Sequence, residues 1–255
     1  MKRALVLVVA GLLAAAGCGS AQEAAPAAPA PAETTLNVSA AASLKSTFTE
    51  LAGRFETDNP GVKVALNFAG SSDLAQQIVQ GSPTDVFAAA SPATMKTVTD
   101  AGLASDPQVF VTNVLQIATA PGNPERIATF ADLARPDLKV VVCAPQVPCG
   151  AATEKIEKAT GVTLTPVSEE PDVKSTLGKV TTGNADAGLV YVTDVMDAGD
   201  GVQGVSFPEA SNAVNDYPIA ALSKAPHPEL AAKFVELVRS EDAKKVFETA
   251  GFGTP

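Results

Sequence analysis

From Leu36 onwards the sequence alternates short apolar runs with amphipathic stretches. This alternation is typical of an α/β fold whose strands are largely parallel. A longer apolar run, residues 109–120, is predicted to be a strand that passes between two domains. The other predicted strands are residues 36–40, 62–68, 85–90, 138–144, 188–192, 202–207 and 219–222.

Helices are predicted between these strands. The first opens at Ser43, and its apolar stripe of Leu44, Phe48, Leu51 and Phe55 recurs at helical spacing up to the Asn59-Pro60-Gly61 stop. The remaining predicted helices are residues 71–80, 92–101, about 150–160, 171–182 and two stretches within 228–250.

The N-terminal sequence predicts an export signal followed by a tether. A cationic start and an apolar run, together residues 1–17, predict a secretory signal peptide that is too short for a membrane span. The ending Ala15-Ala16-Gly17-Cys18 resembles a bacterial lipoprotein signal, although Ala15 stands where Leu is usual. The resemblance implies that Cys18 is lipidated; the alternative is ordinary cleavage after residue 16 or 17. The Pro- and Ala-rich segment 18–35 is predicted to be an extended tether.

Composition narrows the possible functions. The chain has 255 residues, with 28 acidic and 18 basic side chains, so the net charge is −10, or −12 without residues 1–17. This balance argues against a nucleic-acid-binding protein, which needs clustered Lys and Arg. The single histidine, His227, rules out multi-histidine metal sites, and no site for a metal cation is predicted. Its Pro-flanked context predicts a loop residue rather than a general base.

Small hydrogen-bond donors follow several strands directly. Ser43 follows the first strand, Ser71 and Ser72 the second, and the VPCG turn at 147–150 a later one. A helix N-terminus with free N–H groups is a natural anion site. A serine there is usually only a helix cap. Several such junctions in one α/β chain nevertheless favour a shared site, because ligands bind beyond the carboxyl ends of strands.

The chain resembles the periplasmic molybdate-binding proteins, the substrate-capturing subunits of ABC transporters. The segments that carry the resemblance occur in the family's order: AAASL, FAGSSDLAQQI with GSPTDVFAAAS, VPCG, DV at 172–173, GLVYVTDV and the final GFG. It covers residues 36–255. The resemblance implies a two-lobed type II periplasmic-binding-protein fold with the ligand cleft between the lobes. Lobe 1 would comprise residues 36–112 and 219–255, and lobe 2 residues 113–218.

The resemblance also implies a set of molybdate ligands. Ser43 and Ser71 would each offer a hydroxyl and a backbone N–H, Cys149 and Val173 a backbone N–H, and Tyr191 its phenolic hydroxyl. Ser72 ranks below Ser71. Molybdate near neutral pH accepts hydrogen bonds and donates none, so a site made only of donors suits it. Lys45 and Lys174 are predicted to be solvated helix residues.

The implied protein is a lipid-anchored monomer on the extracytoplasmic side of the membrane. It would capture molybdate or the similarly sized tungstate and deliver it to an ABC permease, with no cofactor and no catalysis. Two alternatives stay open. One is a receptor for sulfate or another tetrahedral oxyanion, and the other is an enzyme on the same two-lobed fold.

Three further sequence patterns predict structural features and not binding or catalytic sites. Cys143 and Cys149 flank a Pro-containing turn in an exported chain, which predicts a disulfide; the alternative is two buried free thiols. Residues 199–204 match GxGxxG, but they follow a helix and precede a strand, so a flexible turn is predicted. Tyr217-Pro218 is predicted to be a crossing between lobes.

Overall fold

The computed structural model describes residues 33–255, which form two five-stranded sheets with helices packed on both. The α/β prediction is confirmed. The predicted signal peptide, the predicted lipidation site Cys18 and the predicted tether up to residue 32 lie outside the described residues. Within residues 33–255 no helix combines the length and the apolar character that crossing a membrane requires.

The first sheet has the strand order β2-β1-β3-β10-β4. β1, β2 and β3 run parallel to one another, whereas β10 is antiparallel to both β3 and β4. Its strands are β1 (Thr34–Ala41), β2 (Val62–Ala69), β3 (Val86–Ala88), β4 (Gln108–Asn113) and β10 (Asn215–Ala221). The helices that belong with it are α1 (Lys45–Asp58), α2 (Ser71–Val79), α3 (Pro92–Asp100), α7 (Pro228–Val238) and α8 (Glu241–Thr249).

The second sheet has the order β7-β6-β8-β5-β9. β6 is parallel to β7 and β8, and β5 is antiparallel to β8 and β9. Its strands are β5 (Leu115–Thr119), β6 (Val140–Cys143), β7 (Ser168–Glu170), β8 (Ala187–Tyr191) and β9 (Gln203–Val205). Its helices are α4 (Pro148–Thr160), α5 (Val173–Thr181) and α6 (Val192–Ala198).

The chain passes between the sheets twice. The outward passage is at Val114, so the predicted strand over 109–120 is two strands in different sheets. Asn113 holds this passage, because its Oδ1 accepts from the Val114 N–H at 3.0 Å and its Nδ2 donates to Thr193 Oγ1 at 2.9 Å. The return follows β9 and ends where β10 begins at Asn215, so the predicted lobe boundary at 218/219 falls inside β10.

Phenylalanine rings fix the start of α1 relative to the C-terminal helices. Phe48 lies 6.0 Å from Phe234 and 6.3 Å from Phe247 between ring centroids, and all three rings are buried. Buried aromatic pairs stabilise a core beyond the area they bury. The helix that follows Ser43 is therefore held rigidly against α7 and α8.

Candidate functional site

A cavity of about 20 Å³ lies between the two sheets, and both supply its walls. A space of this size is little more than a single water molecule needs, so the closed arrangement leaves room only for a small group. Ala41–Ser43, Ala69–Ser71 and Ala90 come from the first sheet and its helices. The second sheet and its helices supply Val147–Cys149, Asp172, Val173 and Tyr191.

All five predicted ligands line this one cavity. Their side chains come from both sheets, and each is at most 8% exposed. They are Ser43, Ser71, Cys149, Val173 and Tyr191. The structure therefore brings together residues that are up to 148 positions apart in the sequence.

Three helix N-termini meet at the cavity. Ser71 and Val173 are the first residues of α2 and α5, and Cys149 is the second residue of α4. N–H groups in a first helical turn have no acceptor within their own helix. Among residues 33–255, no backbone carbonyl or side chain accepts from the N–H of any of these three. The partial positive charge of three helix ends thus favours an anion here.

The two serine hydroxyls are each tied to the protein by one hydrogen bond. Ser71 Oγ accepts from the Ala90 N–H at 3.0 Å. Ser43 lies in the short 3-10 turn Ala42–Leu44 before α1, and its Oγ is 2.9 Å from Tyr217 Oη. Tyr217 is in β10 within the first sheet, so the prediction that Tyr217-Pro218 is a crossing is wrong.

Tyr191 presents a hydroxyl with no partner. It is the last residue of β8 and 1% exposed, and its Oη makes no hydrogen bond within the described part of the chain. A buried hydroxyl without a partner is costly, which favours a ligand as its missing acceptor. Burial raises the pKa of Tyr191 well above its ordinary value, so the hydroxyl keeps its proton.

Charged groups near the cavity are bound to other protein groups. Asp172 is the only charged residue in the lining among residues 33–255, and its carboxylate caps α5 by accepting from the Ser175 N–H at 2.9 Å. Lys174 is not the solvated residue that was predicted. Its Nζ lies 3.1 Å from Oδ1 of the buried Asp194 and 2.8 Å from Oδ2 of Asp197. Burial raises the pKa of Asp194, and Lys174 opposes that shift.

Contacts between the two halves surround the cavity. Ser72 Oγ donates to the Gln146 carbonyl at 2.6 Å, so this serine bridges the halves. Gly70, the residue before α2, lies so close to Pro171 that a Cβ there would overlap the Pro171 carbonyl oxygen. The structure is therefore a closed arrangement with little free space at its centre.

A disulfide lies under the α4 end of the cavity. It joins Cys143, the last residue of β6, to Cys149, with 5.6 Å between their Cα atoms. A Cβ at Gly150 would overlap the Ala144 carbonyl, so glycine lets the first turn of α4 lie directly on the end of β6.

The other patterns in the sequence lie away from the cavity. Residues 199–204 form a 3-10 turn and the start of β9. His227 precedes α7, and its backbone N–H donates to Asp85 Oδ1 at 2.7 Å. Lys45 is exposed, as predicted. Residues 33–255 contain no group of three or more His, Cys, Asp or Glu side chains that could hold a metal ion.

The sequence model of the bacterial extracellular solute-binding proteins matches residues 36–253. The chain belongs to this family. This solute-binding protein is 49% identical over 251 residues to the molybdate-binding protein ModA of Mycobacterium tuberculosis (strain H37Rv), covering 98% of this chain and 95% of the relative.

Two solved structures share its fold. The periplasmic molybdate-binding protein of Azotobacter vinelandii matches with a TM-score of 0.74 and 21% identity, covering 86% of this chain and 99% of that one. The sulfate-binding protein SubI of M. tuberculosis matches with a TM-score of 0.75 and 18% identity, covering 86% of each chain. The predicted two-lobed fold is confirmed.

Proposed function

We propose that this solute-binding protein captures molybdate, and equally tungstate, in the interlobe cavity and delivers it to an ABC permease. The observation that carries the proposal is the cavity itself. Hydrogen-bond donors from both sheets face it without a partner, and its described lining contains no charged side chain other than Asp172, which caps α5. The 49% identity to a mycobacterial ModA supports molybdate as the ligand.

The proposed ligands are Ser43, Ser71, Cys149, Val173 and Tyr191. They would supply three hydroxyl protons and the backbone N–H groups of the serines, Cys149 and Val173. A fully ionised tetrahedral oxyanion needs only donors, so each of its oxygens can be satisfied without a basic side chain. The net charge of −10 is then no obstacle, because recognition is local.

Sulfate is the second candidate, since it also only accepts hydrogen bonds. The SubI match shows a shared fold and does not favour sulfate, because it rests on 18% identity. Catalysis is not part of the proposal. Neither serine has a histidine, lysine or carboxylate hydrogen-bonded to its Oγ within residues 33–255, so neither has the adjacent base that activates a nucleophile.

The cellular setting belongs to the same proposal. Cleavage before Cys18 and its lipidation would anchor a monomer to the extracytoplasmic face of the membrane, with residues 18–35 as the tether. Because β4 and β10 belong to the first sheet, lobe 1 would comprise residues 36–113 and 215–255, and lobe 2 residues 114–214. The Cys143–Cys149 disulfide would form after export and hold the Cys149 amide in place.

Calorimetry with molybdate, tungstate, sulfate and phosphate tests the function. Molybdate and tungstate should bind with similar affinity, and both more tightly than sulfate or phosphate. The double variant Ser43→Ala/Ser71→Ala should bind molybdate at least about 100-fold more weakly, because two charge-assisted hydrogen bonds are lost. Its apo melting temperature should fall, because the buried Tyr217 hydroxyl and Ala90 N–H lose their partners, but the variant should stay folded at the temperature of the titration.

The matched control is Ser39→Ala, which removes a buried serine hydroxyl of β1 that bonds Thr84 Oγ1 at 3.4 Å. It should leave molybdate affinity unchanged. Tight sulfate binding without a molybdate response would overturn the choice of ligand. Wild-type affinity in the double variant would overturn the site.

A further inference from the structure

We propose that Tyr217 is a positioning residue that fixes the Ser43 hydroxyl as a donor toward the cavity and so selects fully deprotonated oxyanions. The inference rests on the proposed function and goes beyond the five ligands. Tyr217 does not line the cavity, so it would act through Ser43.

The hydrogen bond between the two hydroxyls can run in either direction, but only one direction uses both protons. Ser43 Oγ, at 2.9 Å, is the one atom among residues 33–255 in good hydrogen-bonding geometry with Tyr217 Oη. The neighbouring Asn113 amide is already bonded to Thr193 and Val114, and the neighbouring Tyr191 Oη makes no hydrogen bond. If Ser43 donated, the phenolic proton of the fully buried Tyr217 would have no acceptor in good geometry, which costs free energy. If Tyr217 donates, the Ser43 proton is left for the cavity.

Ser71 has a comparable hydrogen bond, and here the direction of donation is certain. Its Oγ accepts from the backbone N–H of Ala90 at 3.0 Å, and an N–H can only donate. The Ser71 proton is therefore free for a ligand. If Tyr217 donates to Ser43, each serine oxygen accepts a hydrogen bond from the protein, and each serine proton remains available to a ligand in the cavity.

The two tyrosines of the chain would then have separate tasks. Their rings pack edge to face with centroids 6.0 Å apart and an interplanar angle of 69°. Tyr191 lines the cavity with an unpaired Oη, whereas Tyr217 faces Ser43. Burial raises the pKa of Tyr217, so its proton is present at any physiological pH.

The direction of the Tyr217–Ser43 hydrogen bond has a consequence for which anions the cavity prefers. A hydrogen phosphate ion must donate its own proton to an acceptor, and a serine oxygen already occupied by Tyr217 is a poor one. Without the Tyr217 hydroxyl, Ser43 could turn and accept. The hydroxyl of Tyr217 would thus weaken phosphate binding as well as strengthen molybdate binding.

A double-mutant cycle tests the proposal. Calorimetry at about pH 7 compares the wild type, Tyr217→Phe, Ser43→Ala and the double variant, each with molybdate and with inorganic phosphate. Tyr217→Phe should bind molybdate about three- to tenfold more weakly, the effect of one hydrogen bond. In the Ser43→Ala background the same change should have no further effect. The ratio of molybdate to phosphate affinity should fall in Tyr217→Phe.

Three outcomes would overturn the inference while the proposed function stands. They are unchanged molybdate affinity in Tyr217→Phe, an equal loss with and without Ser43, and a lower apo melting temperature with no change in affinity or selectivity. Failure of the wild type to bind molybdate would overturn the proposed function and this inference together. Ser39→Ala again serves as the control, because its hydroxyl pair with Thr84 lies elsewhere in the first sheet.

Discussion

Ser46 on α1 donates a hydrogen bond to Asp197 on α6, with 2.5 Å between Oγ and Oδ1. The two helices belong to different sheets, so this bond joins the halves of the molecule next to the cavity. Asp197 is at the same time 2.8 Å from Lys174 Nζ on α5. A contact of this kind exists only while the halves are together and therefore stabilises the closed form.

Ser46→Ala should weaken molybdate binding about two- to fivefold, mainly through faster dissociation, because a partly exposed polar contact contributes at most about 1 kcal/mol. Stopped-flow displacement with tungstate measures the dissociation rate. Thr57→Ala removes another exposed hydroxyl from the same helix, one that donates to the Gly53 carbonyl, and should change nothing. An unaltered dissociation rate in Ser46→Ala would show that the contact is incidental.

Gly70→Ala should reduce molybdate affinity by an order of magnitude or more, since its Cβ would overlap the Pro171 carbonyl of the opposite half. Titration calorimetry gives the affinity and thermal melting of the apo protein gives the stability, which should change little if the halves separate without ligand. Gly53→Ala within α1 meets no atom within 4 Å and is the matched control. Full affinity in Gly70→Ala would mean that closure tolerates an extra methyl group at this position.

The two tyrosines predict an unusual alkaline titration. Burial raises the pKa of both Tyr191 and Tyr217, and the chain has no other tyrosine and no tryptophan. The native protein should therefore show no tyrosinate absorbance at about pH 10, the pH at which the tyrosines of the urea-unfolded chain ionise. The unfolded chain loses these protons first, so stability should decline as the pH rises above about 10.

Molybdate affinity should accordingly stay level between about pH 7 and about pH 10. A tyrosinate at the cavity would repel the anion. Tyrosinate absorbance in the folded protein near pH 10 would show that one of the rings is accessible, and this would remove the basis for treating Tyr191 as a permanent donor.

Breaking the Cys143–Cys149 link should lower stability and loosen the site together. The bond closes a short loop, with a separation of 6 residues, so its loss should cost about 2 kcal/mol and lower the melting temperature by about 5 °C. Cys143→Ser/Cys149→Ser should also bind molybdate a few-fold more weakly, because the Cys149 amide is less well fixed. Peptide mapping after alkylation without reductant should find neither cysteine labelled; labelling of both would contradict the disulfide.

Most elements could be predicted because their patterns are strong. The apolar stripe from Leu44 to Phe55 predicts α1, and the structure places it there. The strand β7 could not be predicted, since its sequence Ser-Glu-Glu has no apolar residue and pairs only at the edge of the sheet. β10 begins four residues before its predicted start, because pairing with β4 extends it across polar positions.

The site shows where local patterns stop being informative. Helix starts after strands indicate Ser43 and Ser71, and the family resemblance adds Cys149, Val173 and Tyr191. No local pattern indicates Tyr217, which meets Ser43 across 174 positions of sequence through the order of strands in the sheet. Lys174 looks solvated in sequence because its partners, Asp194 and Asp197, lie on the next helix along the chain.

The near absence of free space around the cavity has a kinetic meaning. Eleven of its thirteen lining residues are buried and Gly70 contacts Pro171 across the two halves, so an anion held inside would leave most readily when the halves separate. Residence time would then depend on how often the lobes part as well as on the hydrogen bonds to the anion. A membrane partner that pries the lobes open could thus unload tightly held cargo without competing for it chemically.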